Sequence, residues 1–202
     1  ALRTGDAQVE AAVTRARMAW HELTLEETLD PTLPICDAHH HFWHGGPPPP
    51  RNRDRYLLDE YLQDMNGGHN IVSTVFAECR AMYRMDGPEA MRPVGETEFV
   101  NGIAPMSASG LYGASRVAAG IVGFADLRLG AAVMPVLEAH MAASSRFRGV
   151  RHATSWDPDP ARSNISQPAP AVTSLPPAHG RGVINRLGHG HAVVGIDHDC
   201  TI

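Results

Sequence analysis

The chain contains no lysine; all 17 of its basic residues are arginine. Schiff-base enzymes, pyridoxal-phosphate enzymes and P-loop nucleotidases each require a lysine amine, so all three are excluded. Codon usage in a GC-rich genome accounts for such a bias, and the exclusion holds whatever its origin. Cysteine is scarce. Cys36, Cys79 and Cys200 are odd in number, far apart and form no C-x-x-C, which reads as reduced thiols in a cytosolic compartment. No apolar run approaches the roughly 20 residues of a spanning helix, and no signal-peptide hydrophobic region opens the chain. Localisation therefore reads as cytoplasmic, with no membrane partner. An excess of positive charge is lacking too: the net charge is −5, which argues against a general nucleic-acid surface.

What the chain does have is 202 residues, 43% of them hydrophobic, enough for one domain with a core. Residues 6–29 carry apolar positions at Val9, Val13, Ala16 and Trp20, the spacing of one or two amphipathic helices, until Asp30, Pro31 and Pro34 end the pattern. An alternating order then begins. Strands are expected at Pro34–Phe42, Asn70–Cys79, Val117–Ala125 and Arg146–His152. Between them, helices are expected after Asp54, near residues 96–108, and over Leu129–Ala143. Apolar strands alternating with helices predict a parallel sheet with helices outside, either an open doubly wound sheet or a (β/α) barrel. No G-x-G-x-x-G follows the first strand, so a dinucleotide fold has no support. Three regions follow: a helical arm over 1–33, a β/α partial barrel over 34–165, and a divergent tail rich in Pro, Gly and His over 166–202. In the tail only Ala192–Ile196 reads as a strand.

The strongest chemical signal is Asp37-Ala-His-His-His-Phe-Trp43. Side chains alternate along a strand, so Asp37, His39 and His41 are expected on one face and His40 on the other. At the C-terminal mouth of a barrel strand, imidazoles two residues apart suit a divalent ion such as zinc. Asp37, one layer deeper, is expected as a supporting partner of that pair or as a further ligand.

The segment Pro34-Ile-Cys-Asp-Ala-His-His-His-Phe-Trp43 resembles the opening strand of the amidohydrolase-related ("amidohydrolase 2") family of metal-dependent TIM-barrel hydrolases. The resemblance continues through Val75–Tyr83, Gly95–Asn101, Gly120–Leu127 and Arg146–His152, covering about residues 20–167. It implies a metal-dependent (β/α)8 barrel that activates water against a lactone, ester or amide carbonyl, or in one branch decarboxylates its substrate. It also implies that His39 and His41 are the first-strand metal pair, holding zinc or manganese. The family's other usual metal positions, a histidine near strand five and an aspartate ending strand eight, have no recognisable counterpart here.

Glu78, ending the second strand, is a candidate for orienting water or binding a substrate hydroxyl, and equally reads as a solvated or salt-bridged carboxylate. Arg151 and His152, ending the fourth, are candidates for a substrate carboxylate, which a guanidinium binds bidentately; a structural ion pair is the equal alternative for Arg151. Asp126, Glu96 and Glu98 read as structural, the glutamates suiting a helix N-terminus. The tail's His189-Gly-His191 and Asp197-His198-Asp199 sit among glycines in surroundings unlike family strands, and a truncated or frame-shifted product is the expectation there. A full barrel takes about 250 residues, so this length accommodates about four β/α units. The functional expectation is a metal-dependent hydrolase of a small carboxylated substrate. The rivals are an inactive half-barrel, which would associate through open sheet edges, and a decarboxylase on the same site.

Overall fold

The computed structural model describes residues 26–44 and 55–153, isolated positions between 12 and 23, and the backbone of 182–187 and 191–196. The arm is helical at the described positions from 12 to 22. It ends in a turn at Asp30, whose Oδ1 accepts hydrogen bonds from the Thr32 and Leu33 amides at 3.0 and 3.1 Å.

Four strands form the parallel sheet: β1 (Pro34–His40), β4 (Asn70–Ala77), β5 (Arg116–Gly123) and β6 (Phe147–Ala153), adjacent in that order. Between β1 and β4 the chain makes a short antiparallel pair, β2 (Trp43–His44) with β3 (Arg55–Tyr56), and then helix α1 (Leu58–Met65). Helix α2 (Val94–Ala108) links β4 to β5, and α3 (Met134–Ala143) links β5 to β6. The expected alternation is therefore present, with helix starts displaced by a few residues. The cap expected of Asp54 lies outside the described residues. At α1, Glu60 instead accepts the Leu57 amide at 2.9 Å and, with Asp59, sets negative charge against the positive end of the helix dipole.

Both hydrophobic cores lie on the helix side of the sheet. Phe42, Leu58, Tyr61, Met65, Phe76 and Ile121 belong to one, under α1 and α2. Val94, Leu127, Val136, Leu137, Phe147 and Val150 belong to the other, against α3. Burying Phe42, Phe76 and Ile121 completely contributes roughly 1.5–3 kcal/mol per side chain. The other face is more open: Val75 there is only partly buried and Arg148 is exposed.

Each parallel junction carries a register shift: Asp37/His40 in β1, Ser73/Val75 in β4, Ile121/Val122 in β5. Such bulges bend and twist a sheet.

The tail departs from its expected irregularity. Strands β7 (Gly182–Leu187) and β8 (His191–Ile196) form an antiparallel hairpin, and β8 pairs antiparallel with β6. The strand expected at Ala192–Ile196 is β8; β7 was missed because Pro and Gly around it masked a short Val-Ile pattern. The edge at β6 that four units alone would leave open is thus occupied, and the sheet edges are β1 and β7. His189, Asp197, His198 and Asp199 lie outside the described residues. Among the described residues, no helix is long and apolar enough to cross a membrane.

Candidate functional site

The bulge in β1 decides which histidines meet. From Asp37 to His40 the strand advances three residues while its partner advances two, from Thr74 to Phe76. Strict alternation is broken there. Asp37 and His40 consequently share the helix side: the Tyr61 hydroxyl of α1 donates to Asp37 Oδ2 at 2.6 Å, and the Tyr61 ring stacks on His40 at 4.3 Å. His40 is 5% exposed, and burial lowers its pKa from 6.5 to about 4. Past the bulge, His39 is exposed and His41 half-buried on the open face.

There the two rings meet edge to face, with Nε2 of His39 3.2 Å from Nε2 of His41. Their hydrogen-bond partners assign the lone pairs. His41 Nδ1 lies 2.8 Å from the Ala77 carbonyl, which only accepts, so Nδ1 carries a proton. In the neutral ring, its Nε2 then carries a lone pair. His39 Nε2 lies 3.1 Å from Nη1 of Arg151, which only donates, so this nitrogen also presents a lone pair. The two Nε2 atoms therefore face each other at a spacing that a shared proton or a shared metal ion would also give, with Arg151 holding the lone pair of His39. Two nitrogens bound to one tetrahedral zinc at 2.0–2.1 Å stand about 3.3 Å apart, close to the observed separation.

Arg151 and Glu78 complete the cluster. Arg151 Nε donates to Glu78 Oε1 at 3.0 Å and Nη2 to the Glu78 carbonyl at 2.5 Å, with both side chains mostly buried. The sheet order brings them together, since Glu78 follows β4, Arg151 lies near the C-terminal end of β6, and the Glu78 amide donates to Val122 O of β5 at 2.8 Å.

The structure thus gathers His39, His41, Glu78 and Arg151, and sets Asp37 and His152 elsewhere. Asp37 does not support either imidazole. It accepts the His39 amide at 3.1 Å and the Tyr61 hydroxyl; burial pushes its carboxyl up, but these hydrogen bonds outweigh that and hold it below its ordinary value. His152, next to Arg151 in β6, points to the opposite face, as alternation requires. It is 6% exposed, accepts the Leu127 amide at 3.1 Å, and is lowered in pKa chiefly by burial. Asp126 is structural: it accepts the Arg128 amide at 3.0 Å and pairs with the same guanidinium. Among the described residues, no group of three or more His, Cys, Asp and Glu side chains is placed to hold a metal ion.

Glu96 holds the loop behind Glu78, a role its place in the first turn of α2 conceals. Its Oε1 accepts the Cys79 amide at 3.0 Å and the Ala81 amide at 2.7 Å, and its Oε2 has no partner. That loop contains Arg80 and Met82, both at positive φ (64° and 51°), a region most L-residues avoid. Burial pushes the Glu96 carboxyl up to about 7, with Glu78 nearby adding to it and the two amide bonds opposing it. The sequence signal was the neighbouring glycine. A Cβ at Gly95 would stand 2.6 Å from the Met82 carbonyl oxygen, so the helix and the loop approach only there. Glu98, further along α2, pairs with Arg84 across the same loop.

Compared with protein-family models, curated proteins and solved structures, the chain matches none of them.

Proposed function

We propose that this chain is a metal-dependent hydrolase of the amidohydrolase-related type, built on the first half of a TIM-type barrel. In this reading His39 and His41 hold a divalent ion, zinc or manganese. The observation that carries it is the 3.2 Å approach of the two Nε2 atoms, with His41 fixed in the required tautomer by Ala77 O. Such a carbonyl is the usual outer partner of a ligating histidine.

A divalent ion bound there would lower the pKa of a water and polarise a lactone, ester or amide carbonyl. The chain's own residues do the rest. Ala77 O keeps the proton of His41 on Nδ1 and holds the ring in place. Glu78 anchors Arg151 through its carboxylate and its main-chain oxygen, leaving Nη1 turned toward the histidines. A guanidinium so held binds a substrate carboxylate, which makes small carboxylated molecules the favoured substrates. Glu78 accepts the proton released when water attacks, the ordinary duty of a carboxylate beside the nucleophile. The remaining ligand positions would fall to water and substrate.

The test is hydrolysis of a panel of carboxylated lactones by protein purified without chelator, against His39→Ala and against chelated protein. Activity lost in both supports the reading. Equal activity in all three overturns it, and release of CO2 in place of a ring-opened product assigns the decarboxylase branch.

A further inference from the structure

The lone pair at His39 Nε2 already has a claimant. Arg151 reaches it through Nη1 at 3.1 Å while Nε and Nη2 stay on Glu78. A nitrogen lone pair serves one strong partner at a time, a proton donor or a metal ion. The Glu78 carboxylate lies at the Nε side of the guanidinium, so the positive charge at Nη1 is turned toward the position an ion on the histidine pair would take. Arg151 therefore opposes metal binding in two ways, by occupying the lone pair and by like charge.

We propose that Arg151 guards the His39–His41 pair and that a small carboxylate lifts the guard, so that carboxylate and divalent ion bind with positive coupling. This rests on the reading of the pair as a metal site. A carboxylate accepts N–H groups more strongly than a neutral imidazole does, because the bond is charge-assisted at both ends. It draws Nη1 away from His39, and Nε2 is released to the ion. Linkage makes the effect reciprocal: the ion raises carboxylate affinity by the same factor. The arrangement ties assembly of the metal site to the arrival of a carboxylated molecule.

Co2+ titration of the full chain, followed by visible absorption, tests the coupling in chloride and in acetate at equal ionic strength. The variants are Arg151→Gln and the pair Glu78→Gln with Arg151→Gln. The second replaces the ion pair by two amides and leaves no buried charge alone, and circular dichroism confirms its fold. In the wild type, acetate is expected to tighten Co2+ binding about tenfold, within the span usual for coupled sites. Both variants are expected to bind Co2+ about tenfold more tightly than wild type in chloride and to show no acetate effect. Equal Co2+ affinity in wild type and variants overturns the guard and leaves the metal site standing. An acetate effect that persists in the variants places acetate on the metal itself and overturns the coupling through Arg151. No Co2+ binding in any form overturns both the guard and the metal site.

Discussion

Replacing Glu96 by glutamine should change how stability responds to pH, and the size of the change follows from its surroundings. The carboxylate is 1% exposed, with one oxygen held by two amides and the other without a partner. Burial raises its pKa from 4.5 to about 7. A carboxyl raised in the folded state binds its proton more tightly there than in the unfolded chain, so stability falls as pH rises from 4.5 to 7. At 1.36 kcal/mol per pH unit, this interval corresponds to about 3 kcal/mol. Glutamine keeps the shape and the accepting oxygen and does not titrate. Urea unfolding at pH 4.5, 6 and 8 should therefore show the stability of Glu96→Gln, relative to wild type, increasing by about 3 kcal/mol from the lowest pH to the highest. Buried His40 works in the opposite sense. Its lowered pKa means stability that is present above 6.5 and lost as pH falls toward about 4. Between pH 4.5 and 6.5 the two effects oppose each other in the wild type, and the variant removes the Glu96 contribution, leaving that of His40 together with the other buried histidines, His140 and His152. Parallel stability curves for wild type and Glu96→Gln would refute the reasoning, because they would mean that Glu96 ionises in the fold as it does in water.

Other expectations follow from neighbouring contacts. Tyr61→Phe keeps the ring stacked on His40 and removes the donor to Asp37 Oδ2; chemical denaturation at neutral pH should show a loss of about 2 kcal/mol. Because Asp37 sits below its ordinary 3.8, that loss should shrink as the solution is taken to acid through this range. Gly95→Ala drives a Cβ into Met82 O and the Arg84 amide, at 2.6 and 2.8 Å. It should lower stability by roughly 1–3 kcal/mol and weaken any ligand held through Arg151, since the same loop fixes Glu78. Gly123→Ala meets the buried His140 ring at 3.0 Å. His140 is held by Thr97 Oγ1 at 2.8 Å and Phe124 O at 2.9 Å, so a drop in thermal midpoint without loss of metal binding is expected.

The parallel order of β1, β4, β5 and β6 could be read from the sequence because each is a short apolar run followed by a helical period. The same periodicity misplaced Asp37. A bulge adds one residue without altering which residues are apolar, so strict alternation puts Asp37, His39 and His41 on one face when only His39 and His41 share it. Glu78 and Arg151 were individually visible as polar residues ending strands, and their contact arises from the sheet order. His152 looked available only because the face it occupies was not assigned. Glu96 was hidden by its position, since a glutamate in a first helical turn ordinarily serves the dipole, whereas this one reaches the amides of the preceding loop. The β7–β8 hairpin shows the limit of reading irregularity from Pro and Gly, because pairing with β6 supplies the order that local sequence does not.

The central claim is that His39 and His41 share one metal ion. Zinc content after equilibrium dialysis at neutral pH in acetate buffer tests it most directly, in wild type, His39→Ala and His41→Ala, each checked for fold. About one zinc bound per wild-type chain, lost in both variants, is the predicted result. Zinc retained equally in all three, or absent from the folded wild type, would contradict the account.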